Sequence, residues 1–126
     1  MKTRRVYDWF VLRGRLRRRD FWAKALVSAL FFIMLFVLLQ RLFGSDGTLV
    51  LYPPFFAVWL SLMARRLHDQ AKSAWWLFMA LVPVLGPLVM AFLLTLVRGT
   101  EGDNQYGADP ITAGRDYLKV AVHAAE

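Results

Sequence analysis

Three uncharged apolar runs dominate the chain: Ala25–Gln40 with 16 residues, Thr48–Ala64 with 17 and Ser73–Val97 with 25. A bilayer core of about 30 Å needs about 20 helical residues at 1.5 Å each. The first run is short, but Phe21 and Trp22 extend it and Lys24 can snorkel to the headgroups. The second continues into Arg65 and Arg66, and the third is long enough to span with tilt. The pattern predicts an all-α fold, a small transmembrane helix bundle with spans at about 22–40, 48–65 and 74–97. Residues 1–110 then form one membrane domain, and 111–126 a C-terminal tail.

Prolines and glycines refine this picture. Pro53 and Pro54 fall in the first turns of the second helix, where a missing N–H is tolerated. Pro83, Gly86 and Pro87 fall midway along the third run. PVLGP should kink or break a helix there, and the freed carbonyls must be satisfied internally. We read the third run as a kinked span. The alternative is a re-entrant hairpin, which would bring the tail beside the basic loops.

Composition supports a lipid environment. A 126-residue chain that is 58% hydrophobic, with a mean hydropathy of +0.42, cannot hide that much apolar surface in a soluble core. The net charge of +7 would suggest nucleic acid in a soluble protein, but its placement points elsewhere. Nine of the sixteen Lys and Arg lie in the first 24 residues, and Arg65, Arg66 and Lys72 lie between the second and third runs. Both clusters border apolar runs, as the positive-inside bias requires. The N-terminus and second loop are therefore expected in the cytoplasm. With three full spans, the first loop and the tail face outward. The basic arm is too long for a signal-peptide n-region and no small-x-small cleavage site follows, so the first run reads as a retained helix. The absence of cysteine removes disulfides and thiol chemistry.

Three polar motifs border the runs. They are Gly14-Arg15-x-x-Arg18-x-x-Phe21-Trp22; Arg65-Arg66-Leu67-His68-Asp69 with Lys72-Ser73-x-Trp75-Trp76; and Gly102-x-Asn104-x-Tyr106-Gly107-x-Asp109-Pro110. In this order and spacing they resemble the YhaH/YhaI-like family of small bacterial inner-membrane proteins, a family of unknown function. The resemblance runs from about Val11 to Pro110. It implies a bacterial inner-membrane location and a compact multi-span domain, and it carries no activity with it. Ala74 stands where the family often has Gly, and Gln70-Ala71 where it favours small or polar residues.

The motif residues allow several chemistries. Arg15, Arg18 and Arg19 share one face if helical, leading into Phe21 and Trp22. Such a face suits anionic headgroups, because the guanidinium fork matches phosphate. Arg65 and Arg66 stand four and three residues before Asp69, so either can pair with it on a helix. Ser73 is placed to cap the third helix. Arg66 and His68 could instead bind an anion or relay a proton. His68 and Asp69 are sequence neighbours, which point about 100° apart on a helix, so they form no simple catalytic dyad. Asp103, Asn104 and Asp109 could hold a hard cation, but a turn around Gly107 explains them as well. No cofactor or metal is expected.

The sequence thus predicts a non-enzymatic inner-membrane scaffold or regulatory factor. Its candidate contact residues for anionic lipid or a protein partner are Arg15, Arg18, Arg65, Arg66, His68, Asp69, Asn104 and Asp109. A homo-oligomer or a membrane-protein partner fits this reading; nucleic acid does not. The runner-up is an oligomeric transport component using the broken third helix, followed by a lipid-modifying enzyme.

Overall fold

The computed structural model describes residue 10 and residues 12–112. The basic arm before Phe10 and most of the tail, with His123, lie outside the described residues. Their regular elements are all helical, apart from one isolated bridge between Asn104 and Gly107.

Helix α1 covers Arg18–Thr48 and is broken at Gly44, whose φ of 73° and ψ of −167° only glycine adopts readily. Asp20 sits in its first turn, favourable at a helix N-terminus, and accepts from Arg17 Nε at 2.8 Å. After a 3-10 turn at Leu49–Leu51, α2 runs over Tyr52–Asp69, with Pro53 and Pro54 in its first turn. The stretch Arg18–Asp69 is long and apolar enough to cross a membrane, by length and composition. It folds back at Gly44–Leu51, so α1 and α2 are antiparallel limbs. Phe32 of α1 stacks on Phe55 of α2 with ring centroids 4.2 Å apart. At the far end Leu16 N–H donates to the Arg65 carbonyl at 3.1 Å.

The third apolar run differs from a kinked rod. A 3-10 helix spans Ala74–Leu81, capped by Ser73 Oγ, which accepts from Trp75 N–H at 3.3 Å. The chain then turns, and α3 runs back over Leu85–Thr95. At the turn Val84 has φ 65° and ψ −61°, and Leu85 N–H donates to Pro83 O at 2.7 Å, a γ-turn. Gly86 makes the close return possible: a Cβ there would lie 2.0 Å from the Met79 carbonyl oxygen. The two limbs form a hairpin whose ends both meet the end of α2.

The buried core lies at that same end. Leu16, Phe21, Leu62, Leu67, Met90, Leu93 and Leu94 cluster there. Away from it the limbs expose large apolar side chains, among them Leu30, Phe31 and Met34 of α1 and Leu88 and Phe92 of α3. So large a contiguous apolar surface is suited to lipid rather than water.

Candidate functional site

The end of α2 carries a buried polar cluster that joins all three motifs. Asp69 is its centre. Its Oδ2 accepts from Arg66 Nη1 at 2.7 Å, and its Oδ1 accepts from Arg15 Nε at 3.1 Å. The Arg66 pair follows from their i, i+3 spacing on α2. The Arg15 pair spans 54 residues. Both guanidinium side chains are almost fully buried, at 1% and 0% exposure.

The remaining guanidinium donors meet backbone carbonyls. Arg66 donates to Leu94 O at 3.2 Å and to Val97 O, which cap the last turn of α3. A cation is favoured at that helix C-terminus by the backbone dipoles. Gln70 Nε2 donates to Leu93 O beside it. Arg15 donates to Thr100 O at 2.6 Å and to Gly102 O at 2.5 Å. Thr100 N–H donates to Asp69 O at 2.7 Å. Arg15 and Arg66 thus staple the arm, the end of α2 and the segment after α3 into one head.

Gly99 is required by this closure. A Cβ on it would stand 2.0 Å from Asp69 Oδ2. Sequence reasoning missed Gly99 and Thr100, which lie just outside the third motif. Their one signal is a glycine directly after the last apolar run and Arg98.

The 102–110 segment folds onto the head by its own turn. Asp109 carboxylate oxygens accept from Gly102 N–H at 3.0 Å and Ile111 N–H at 2.9 Å, which hold its carboxyl below the usual range. Asp103 Oδ1 accepts from Asp109 N–H at 3.0 Å, and Asn104 Oδ1 from Tyr106 N–H at 2.9 Å. These acids serve the turn, and among the described residues no group of three His, Asp or Glu is arranged to hold a metal. Asn104 Nδ2 donates to His68 O and to Thr100 Oγ1, both at 2.9 Å.

His68 is clamped from two sides. Its ring stacks on Tyr106, with centroids 4.0 Å apart and planes 5° apart. Its Nδ1 lies 3.2 Å from the Gly14 carbonyl, which can only accept, so Nδ1 carries the proton. Burial pushes the imidazole below its ordinary pKa, against the pull of the Gly14 bond.

The eight candidate residues therefore divide. Arg15, Arg66, His68, Asp69, Asn104 and Asp109 are drawn together by internal bonds. Arg15 does not share a helical face with Arg18 and Arg19, because α1 begins only at Arg18 and Arg15 is in the segment before it. Arg18 and Arg19 are exposed. Arg65 is half-buried, and its carbonyl holds Leu16. Beside the head a groove of about 570 Å³ is lined by Arg17, Arg18, Arg19 and Arg98, by residues 99–102, and by Asp69, Asp109 and the two residues 111–112. Trp59 packs on Phe55 of the same helix, with ring centroids 5.8 Å apart, and its indole N–H is buried without a partner among the described residues.

A head built from three polar motifs, carried on apolar limbs, defines a small helical membrane protein. The family described as "Protein of unknown function (DUF805)" matches residues 9–108, and the chain belongs to it. It is 34% identical over 117 residues to the Escherichia coli K12 inner membrane protein YhaH, covering 82% of this chain and 96% of YhaH. It is 36% identical over 101 residues to the inner membrane protein YhaI of the same strain, covering 77% of this chain and 83% of YhaI. No solved structure matches. The protein is thus an inner-membrane protein of a family without an assigned activity.

Proposed function

We propose that the protein is a non-enzymatic scaffold or regulatory factor whose head sits on the cytoplasmic face of the inner membrane and engages anionic lipid headgroups. The observation that carries this is the division of the arginines. Arg15 and Arg66 are consumed in closing the head, whereas Arg18, Arg19 and Arg98 flank an open groove. Arg18 and Arg19 stand one residue, Asp20, before Phe21 and Trp22, where α1 enters its apolar stretch. Guanidinium groups at that level meet phosphates, with the aromatic rings at the interface. The excess of Lys and Arg in the arm and second loop supports a cytoplasmic head.

Binding of short-chain phosphatidylglycerol and phosphatidylcholine to the detergent-solubilised chain tests this. Phosphatidylglycerol should bind several-fold more tightly, with the preference falling as salt rises. R18Q with R98Q should remove most of the preference and leave thermal unfolding unchanged. Equal binding of the two lipids by the unsubstituted chain would refute the proposal.

A further inference from the structure

We infer that the Ser73–Val97 hairpin inserts into one leaflet only, reaching about the bilayer midplane and returning, so that the membrane is crossed twice and the lipid tails of a single leaflet surround the hairpin.

Limb length sets the depth. The 3-10 limb has 8 residues, about 16 Å at 2.0 Å each. The α3 limb has 11, about 16 Å at 1.5 Å each. Half of a hydrocarbon core of about 30 Å is about 15 Å. Both limbs match one leaflet, and neither could cross two.

The two ends of the hairpin are held together. It leaves the head at Ser73, just after Gln70. It re-enters where Gln70 holds Leu93, Arg66 holds Leu94 and Val97, and Thr100 holds Asp69. The same buried charges therefore fix entry and exit at one level, and the turn at residues 82–84 is the far point.

The outer surface of the hairpin is apolar throughout. Successive residues three apart eclipse in a 3-10 helix. Trp75, Phe78 and Leu81 thus form one ridge, exposed at 74%, 59% and 75%. Val84, Leu85, Leu88 and Phe92 are exposed around the turn and along α3. No charged or hydroxyl side chain occurs between Ser73 and Thr95. This face is fit for acyl chains and too apolar for water.

The turn meets most of its own polar needs. Irregular backbone is tolerated in hydrocarbon only when its polar groups are satisfied within the protein. Pro83 and Pro87 carry no N–H at all. The Val82, Leu85, Gly86 and Leu88 N–H groups donate to the carbonyls of Met79, Pro83, Val82 and Val84. The PVLGP sequence that breaks the helix also removes the donors that lipid could not satisfy.

One-leaflet insertion shares with the proposed function only the head's place at the membrane surface. Its test does not depend on headgroup preference, so the two fail separately. The chain has no cysteine, so single cysteines report cleanly. D46C, in the α1–α2 turn, and E101C, just after the hairpin, are probed with an impermeant maleimide in intact cells and in inverted membrane vesicles. D46C should react only in cells and E101C only in vesicles. V84C, labelled with bimane in detergent and reconstituted, should be quenched most by lipids with a nitroxide near the chain end. L85C repeats the reading if V84C folds poorly. E101C and D46C labelled from the same side would show that the run crosses. Strongest quenching by headgroup nitroxides would show a hairpin lying on the surface. Either result overturns the inference.

Discussion

The head and the limbs are built on opposite rules. In the head, Asp69, Arg15 and Arg66 are buried while the residues around them satisfy nearly every donor. In the limbs, Leu30, Phe31, Leu88 and Phe92 face outward. A soluble domain would place these the other way round. The difference shows where each part finds its partners. The limbs use lipid, a solvent that accepts any apolar side chain of suitable length. The head uses specific residues far apart in sequence, and it has no substitute for any of them.

The strongest way to break that contrast is to remove the central charge. Asp69→Asn leaves Arg15 and Arg66 buried without a counter-ion. Breaking a buried pair this way costs about 3–5 kcal/mol, and more of the head depends on this residue than on any other. Thermal unfolding in detergent should show a large drop, and protease should cut within 99–110. The matched substitution on a limb, Leu30→Ala, should cost less than about 1 kcal/mol, because its side chain leaves no cavity inside the protein. Comparable losses at the two sites would contradict the division between head and limbs.

The two close glycines should give the next largest effects. Gly99→Ala drives a Cβ to 2.0 Å from Asp69 Oδ2, and Gly86→Ala drives one to 2.0 Å from Met79 O. Overpacking of this kind costs about 1–3 kcal/mol. The two variants should differ in kind. Gly99→Ala should loosen the 99–110 segment, read by proteolysis. Gly86→Ala should spread the hairpin, read as a shift in Trp75 and Trp76 fluorescence with the 99–110 segment still protected.

How much of this was legible in the sequence depended on the range of the interaction. Periodicity and run length are local, so the helical class, the apolar stretches and the proline-led start of α2 could be read directly. Ser73 as a cap and the Arg66–Asp69 pair were also local, at offsets a helix dictates. The path of the third run was not local. PVLGP permits either a kink or a reversal, and the choice depends on Arg66 reaching Leu94 and Val97, about thirty residues on. The fate of Arg15 was equally hidden. An arginine in a basic arm reads as a surface charge, and only its contact with Asp69, Thr100 and Gly102 makes it an interior one. Gly99 carried no periodic signal, since its requirement comes from a carboxylate thirty residues earlier.

The mildest probe of the head is pH, and its sign follows from His68. Burial lowers the imidazole pKa from the ordinary 6.5, so the folded head prefers the neutral ring. The unfolded chain then binds a proton first as pH falls. Stability is full above about 6.5, declines as pH falls from there through the folded-state value, and levels off below it. Nδ1 carries a proton in both the neutral ring and the imidazolium, so its bond to Gly14 O survives protonation, and the loss reflects the burial of the charge rather than a broken contact. Unfolding temperature measured in detergent from pH 8 to 5 should fall modestly below 6.5. His68→Gln should flatten that fall while lowering stability at pH 8 by about 1 kcal/mol, the worth of a stacked aromatic pair. A profile that stayed unchanged in the variant would remove His68 as the source of the pH response, and would separate the His68–Tyr106 clamp from the charged centre of the head.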